Sequence, residues 1–182
     1  MSPLAWLEKY APGFSERSHG ERNAIANFAL LWSLFEAQVL DTRGDSDEIC
    51  AMASEWEEMG RLSPPRFSDE LAYYRARYFR GGEFTYHFEK LRVAEKYRPL
   101  VMGVLSGKNI RPSAEAAALF IVIHRLRNNY FHGPKWAYEF ADQERNFFHA
   151  NNAMMKAIEI HECLKGAANE PPFEELRQAS SV

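Results

Sequence analysis

The spacing of its apolar residues constrains this chain more than any other feature, because the spacing repeats every three or four residues over long segments. One stripe of this kind runs from Glu21 to about Asp41 and consists of Ile25, Phe28, Trp32, Phe35 and Val39. This is the period of an amphipathic helix, and the alternation of a half-buried strand is nearly absent. Glycine and proline lie between the apolar segments, where they interrupt helices. The sequence therefore predicts an all-α protein, folded as an up-and-down helical bundle with additional short helices.

Six further helices are predicted, over residues 45–59, 68–80, 83–97, 99–105, 113–132 and 136–164. Polar residues that favour helix N-termini mark the starts, as at Ser113, and the pair Gly133 and Pro134 ends the helix that Ser113 begins. A length of 182 residues suits one domain. We expect residues 1–168 to form a single helical domain and residues 169–182 to form a flexible tail, because Pro171 and Pro172 begin a frayed end.

Several classes of protein are disfavoured by features that the sequence lacks. No apolar run reaches about 18 residues, so no transmembrane helix is expected, and the N-terminus does not resemble a signal peptide. Cys50 and Cys163 are too few for a disulfide scaffold, which favours a reduced, cytoplasmic protein. The chain has no HExxH, P-loop or GxGxxG motif, and we therefore predict neither a metal nor a cofactor.

The charge of the chain is unevenly distributed along the sequence. Residues 61–135 hold 14 Lys and Arg against 6 Asp and Glu, whereas the rest of the chain holds 8 against 19. The difference is +8 for the first set and −11 for the second, which together give the net charge of −3. A basic segment of this kind is typical of a surface that faces a polyanion, and it is also found where basic helix faces pair with acidic ones.

The predicted helix over residues 113–132 is apolar on most sides, which is typical of a helix at the centre of a bundle. Its C-terminal half nevertheless carries polar residues, namely His124, Arg125, Arg127, Asn128, Asn129 and His132. Cations at a helix C-terminus are favourable because of the helix dipole, but this does not account for two asparagines in a helix. Glu36 is also unusual, because it lies among the apolar positions of the first stripe. It either reaches solvent or a buried arginine, or it orients an Arg or His in a site.

Three of these polar residues supply the minimum set of chemical groups that metal-free cleavage of RNA requires. A histidine such as His132 titrates near neutrality and can move a proton. The planar, permanently charged guanidinium of Arg127 suits phosphate oxygens, and Asn128 can hydrogen-bond a phosphate or hold an imidazole tautomer. Attack by a ribose 2′-OH would restrict the substrate to RNA. One histidine does not easily act as both base and acid, but a two-fold dimer brings two copies together.

The run Arg127-Asn128-Asn129-Tyr130-Phe131-His132-Gly133 resembles the signature of the HEPN superfamily. That signature is an Arg, a polar residue directly after it, and a His after four to six intervening residues, near the end of a core helix. The resemblance extends loosely to Arg92, to residues 105–107, and to the first long helix with Trp32, Phe35 and Glu36. It implies an all-α bundle of the HEPN type and a homodimer in which the two motifs face each other across a cleft.

The resemblance also implies a function, namely metal-independent endoribonuclease activity in a toxin, antiphage defence or RNA-processing setting. In that interpretation the catalytic residues are His132 as the acid–base group, Arg127 on the phosphate, Asn128 as polar support and Glu36 as a site carboxylate. The residues expected to bind substrate are Lys135, His124 and Arg125. The expected partners are RNA, a second copy of the chain and an antitoxin protein, with no membrane. The alternative is a non-catalytic helical module that binds or dimerises with a partner protein or a nucleotide.

Overall fold

The computed structural model describes residues 1–11, 13–63, 65–132 and 143–169, without the side chains of residues 131, 132 and 167–169. These residues form eight helices and one short hairpin, which confirms the prediction of an all-α fold. The helices are α1 (Pro3–Tyr10), α2 (His19–Gln38), α3 (Ser46–Glu58), α4 (Ser68–Tyr78), α5 (Tyr86–Leu91), α6 (Arg98–Leu105), α7 (Pro112–His132) and α8 (Glu144–Asn169). The hairpin pairs β1 (Phe79–Arg80) antiparallel with β2 (Glu83–Phe84).

Side-chain caps fix the starts of the two helices that lie beside the candidate site. Ser18 and Glu21 form a reciprocal capping box at the start of α2, in which each side chain accepts a hydrogen bond from the other residue's backbone N–H. At α3, the Asp45 carboxylate accepts hydrogen bonds from the backbone N–H groups of Asp47 and Glu48. These caps satisfy backbone donors that have no partner within the helix.

The helix α7 lies at the centre of the core, as its apolar composition predicts. Every residue from Ala116 to Ile123 is buried, and α7 packs against α3 and α6. The Phe120 ring lies 5.0 Å from the Phe35 ring of α2 and 5.4 Å from that of Phe67. The most extensive contact between two helices joins α2 to α8. The polar C-terminal half of α7 is therefore the continuation of a fully buried segment.

The structure differs from the sequence-based expectation around the hairpin. The helix predicted over residues 83–97 is wrong, because residues 83–84 belong to β2 and the helix α5 covers only Tyr86–Leu91. Gly81 and Gly82 have φ values of 60° and 87° and form the tight turn of the hairpin. Arg92 then ends α5 in the left-handed region, with a φ of 52°. The helix α1 was not predicted at all.

The last helix also differs at its end. It continues to Asn169, five residues beyond the predicted end at Leu164. The predicted start near residue 136 lies outside the described residues. Of the tail expected over residues 169–182, Asn169 belongs to α8 and residues 170–182 lie outside the described residues. None of the described helices is both long enough and apolar enough to cross a membrane.

Candidate functional site

The polar end of α7 packs around the indole ring of Trp32, a buried residue of α2. The His124 imidazole is stacked on the indole with 5.7 Å between ring centroids and 15° between the planes. The Arg127 guanidinium carbon lies 5.8 Å from the centroid of the same indole. An indole face attracts both a flat ring and a cation. We call Trp32, Glu36, Ser46, His124, Arg127 and Asn128 the Trp32 cluster.

A chain of hydrogen bonds links three members of the Trp32 cluster. Arg127 Nη1 donates to Asn128 Oδ1 at 3.0 Å, and Asn128 Nδ2 lies 2.9 Å from His124 Nε2. Arginine has no acceptor, so the Asn128 oxygen must face it and the amide nitrogen must face the imidazole. Asn128 therefore donates to His124 Nε2, which is unprotonated. The proton lies on Nδ1, which is 3.5 Å from the Ser46 hydroxyl.

His124 is held neutral by its surroundings. Burial of the imidazole, together with the charges of Arg125 and Arg127, lowers its pKa to about 4, although Asp45 acts in the opposite direction. A neutral imidazole that accepts a hydrogen bond cannot attract phosphate by charge. His124 therefore acts on the Asn128 side chain: it accepts the hydrogen bond from Asn128 Nδ2 and holds the amide in one orientation.

Glu36 contributes to the cluster through Trp32. The Trp32 indole N–H donates to Glu36 Oε2 at 3.0 Å, one helical turn along α2. The carboxylate lies against Gly44, where a Cβ would overlap Glu36 Oε1. Glu36 therefore fixes the orientation of the indole on which His124 and Arg127 pack. The sequence left two alternatives for Glu36, a carboxylate that reaches solvent or a buried arginine and a carboxylate that orients an Arg or His in a site, and neither included an indole partner.

Arg125 lies on a different side of α7 from Arg127. Its Nε donates to the Leu91 carbonyl at 3.0 Å, and Asn129 Nδ2 donates to the Lys90 carbonyl at 3.1 Å. These are the last carbonyls of α5, which have no partner within that helix. Burial and the nearby charge of Arg92 lower the pKa of Arg125. The two side chains attach α7 to α5, and this accounts for Asn129 in a helix.

Two residues expected at the site are not described by their side chains. His132 is the last residue of α7, so its α-carbon lies one turn beyond Asn128 on the same row of the helix. Lys135 lies outside the described residues. The structure thus brings together Glu36, His124, Arg127 and Asn128, and adds two residues that were not expected at the site, Trp32 and Ser46. The contact between Trp32 and Glu36 has a signal in the sequence, because residues four apart in a helix lie on the same face.

Ion pairs with acidic side chains offset part of the positive charge of residues 61–135. Lys96 and Arg111 form ion pairs with Asp47 and Glu57 of α3, at 2.5 Å and 2.8 Å. Two further pairs form within the segment, namely Arg75 with Glu115 and Arg98 with Glu89. Only the first two pairs offset the excess of +8, because Glu115 and Glu89 are already counted within the segment. The positive charges that act on His124 are those of Arg127, within the Trp32 cluster, and of the neighbouring Arg125.

Fold and cluster together define an α-helical protein whose central helix carries an Arg–Asn pair in its last two turns, with the arginine packed on a tryptophan. No model of a known protein family matches the chain, and no significant match is found among curated proteins or solved structures. Among the described residues, no group of three or more His, Cys, Asp or Glu side chains is arranged to hold a metal ion.

Proposed function

We propose that this protein is a metal-independent endoribonuclease of the HEPN type, with Arg127 and His132 at a cleft between two copies of the chain. One observation carries the proposal: Arg127 is held by Asn128 and by the Trp32 ring, five residues before a histidine at the end of a buried helix. The proposal includes a role as a toxin or antiphage defence effector, with an antitoxin protein as a candidate partner.

The proposed reaction needs one base, one acid and one fixed cation. His132 removes the proton of a ribose 2′-OH, and the 2′ oxygen attacks the adjacent phosphorus. The bond between phosphorus and the 5′ oxygen breaks, and His132 of the partner subunit protonates that oxygen. The products are a 2′,3′-cyclic phosphate and a 5′-hydroxyl end. Arg127 stabilises the additional negative charge on the phosphoryl oxygens in the transition state.

The Trp32 cluster supports this role because it restricts the guanidinium before any substrate binds. Asn128 Oδ1 accepts a hydrogen bond from one terminal nitrogen of Arg127, and the Trp32 indole lies against the guanidinium carbon. Since His124 is neutral near pH 7, it does not repel Arg127 as an imidazolium would. A cation already in place costs little reorganisation when the phosphate charge develops.

The test is cleavage of RNA by the purified protein in the presence of EDTA. We expect fragments that end in a 2′,3′-cyclic phosphate, and we expect His132→Ala to fold normally and lose cleavage. The matched control is His87→Ala, because His87 is exposed on α5 and does not belong to the motif. If His132→Ala cleaves as well as His87→Ala does, then His132 is not the acid–base group.

A second candidate function is a non-catalytic helical module that binds a partner protein or a nucleotide. The observation that favours it is that Arg127, Asn128 and His124 already bond one another, as a structural cluster would. This candidate predicts that wild type binds RNA weakly or not at all and does not cleave it, and that Arg127→Ala mainly lowers the stability of the fold. The exposed Arg66→Ala serves as the control for an arginine lost elsewhere.

A further inference from the structure

The solvent side of the short helix α5 carries an exposed aromatic ring beside a cation. Tyr86 is 68% exposed, more than any other Phe, Trp or Tyr side chain that the structure describes. Lys90 follows one turn later, and its Nζ lies 4.8 Å from the centroid of the Tyr86 ring. Phe88 and Leu91, on the other side of α5, are buried in the core. The core therefore holds α5 in place while the Tyr86 ring stays open to solvent.

Two cations at the C-terminal end of α5 have no acidic partner in the part of the chain that the structure describes. Neither Lys90 nor Arg92 forms an ion pair with any of these residues. Glu89, the one acidic residue of α5, is paired with Arg98 at 2.5 Å. The end of α5 therefore presents positive charge next to the exposed ring, and this charge is complementary to phosphate.

The end of α5 lies beside the polar end of α7. Arg125 Nε donates to the Leu91 carbonyl, and Asn129 Nδ2 donates to the Lys90 carbonyl. His132 is three residues beyond Asn129, so its α-carbon lies about 4.5 Å further along the axis of α7, on the next row of the helix. A strand of RNA bound along α5 therefore passes the end of α7 that carries the proposed acid–base group.

We propose that Tyr86, Lys90 and Arg92, which we call the α5 platform, bind an unpaired nucleotide of the RNA substrate next to the scissile bond. A base stacks on the exposed side of the Tyr86 ring, and the two cations contact the phosphates beside it. Only single-stranded RNA fits, because each base of a duplex already stacks between its neighbours and cannot lie on a protein ring. The inference rests on the proposed function and adds to it the form of RNA that the site accepts.

The test of the stacking contact is the binding of a short labelled RNA in which every ribose carries a 2′-O-methyl group, followed by fluorescence anisotropy. This probe lacks the attacking hydroxyl and stays intact. We expect Tyr86→Ala to raise the Kd about tenfold, because one stacked base is lost. The matched control is Tyr10→Ala, since Tyr10 is 53% exposed and has Lys9 at 5.0 Å from its ring centroid, but belongs to α1. Equal Kd values for the two variants would overturn the proposal.

The contribution of charge is measured separately, from the dependence of the Kd on salt concentration. Lys90→Met should lower the slope of log Kd against log salt concentration by about 0.7, which corresponds to one phosphate contact on a single strand. Lys108→Met removes an exposed lysine from the loop before α7 and should leave the slope unchanged. The same slope in both variants would remove Lys90 from the α5 platform.

The restriction to unpaired RNA is tested with the same probe annealed to its complement. Wild type should bind this duplex more weakly than the single strand, and Tyr86→Ala should not change the Kd for the duplex. Binding of the duplex as tightly as the single strand would contradict the proposal.

The binding results do not depend on catalysis, because the probe cannot be cleaved. A wild-type protein that binds the probe through Tyr86 but cleaves no RNA would refute the nuclease and support the α5 platform. A protein that cleaves RNA with the same KM in wild type and Tyr86→Ala would refute the α5 platform alone. His87 lies about 100° from Tyr86 around α5 and does not belong to the platform, so His87→Ala remains a control for cleavage.

Discussion

The protonation state of His124 gives the sharpest prediction about the Trp32 cluster. Its pKa is lowered to about 4 in the folded protein and has the ordinary value of 6.5 in the unfolded chain. As the pH falls, the unfolded chain therefore takes up the proton first. The stability that His124 contributes is complete above pH 6.5 and is lost as the pH falls toward 4. Protonation also places an N–H on Nε2 opposite the Asn128 amide nitrogen, so that two donors face each other.

The magnitude follows from the two pKa values. For a fully buried group with these two pKa values, a fall from about pH 7 to about pH 4.5 would lower the free energy of unfolding by roughly 2.4 kcal/mol. Because the imidazole is only half-buried, solvent screens part of this, and we expect a loss of about 1.5 kcal/mol. Carboxylates titrate in the same range, so the measurement is a difference between wild type and His124→Gln, which cannot be protonated.

The assay is urea unfolding of both proteins at the two pH values, combined with nitrogen chemical shifts of the imidazole. We expect wild type to lose more stability than His124→Gln by that amount, and the shifts to report a neutral ring with its proton on Nδ1. Parallel losses in the two proteins would refute the reasoning. So would an imidazole that titrates near its ordinary pKa.

Two further predictions concern packing and can be measured by urea unfolding. Gly44→Ala places a Cβ on the Glu36 carboxylate and should lower the free energy of unfolding by about 1 kcal/mol. In a Glu36→Ala background the same substitution should have no effect, because the overlapping carboxylate is gone. An unchanged loss in that background would contradict the contact. Lys156→Met removes the cation that lies 2.8 Å from the Glu70 carboxylate, and Glu70 is only 2% exposed. The loss of an ion-pair partner for a buried carboxylate should lower the free energy of unfolding. We expect a loss of about 2 kcal/mol and not more, since Lys156 itself is partly exposed and solvent screens the pair. The surface control Lys165→Met should have little effect, and equal losses would show that burial of the carboxylate is unimportant.

Features that depend on a single helix could be predicted from the sequence. The start of α3 was predicted from its cap residues, and α7 was predicted as the central helix from its continuous apolar run. The pairs Trp32–Glu36 and His124–Asn128 are each four residues apart, so their contacts were accessible from the sequence although only helix faces were assigned.

Features that depend on a second element were not accessible from the sequence. Ser46 and Gly44 reach the Trp32 cluster because the segment that leads into α3 lies beside α2 and α7, and no spacing pattern encodes that approach. The helix predicted over residues 83–97 failed for two reasons: residues 83–84 pair with β1 across the turn at Gly81 and Gly82, and the left-handed Arg92 ends α5 inside the segment. Tertiary contacts there override local propensity.

The central claim is that RNA is cleaved without metal through its own 2′-hydroxyl, and a single deoxyribose tests it most directly. An RNA oligonucleotide that the protein cleaves in EDTA is compared with an identical one in which the ribose on the 5′ side of the scissile phosphate is replaced by deoxyribose. The account predicts cleavage of the first oligonucleotide, with a 2′,3′-cyclic phosphate end, and complete protection of that bond in the second. Equal cleavage of both at that bond, or no cleavage of any RNA by the wild-type protein, would contradict it.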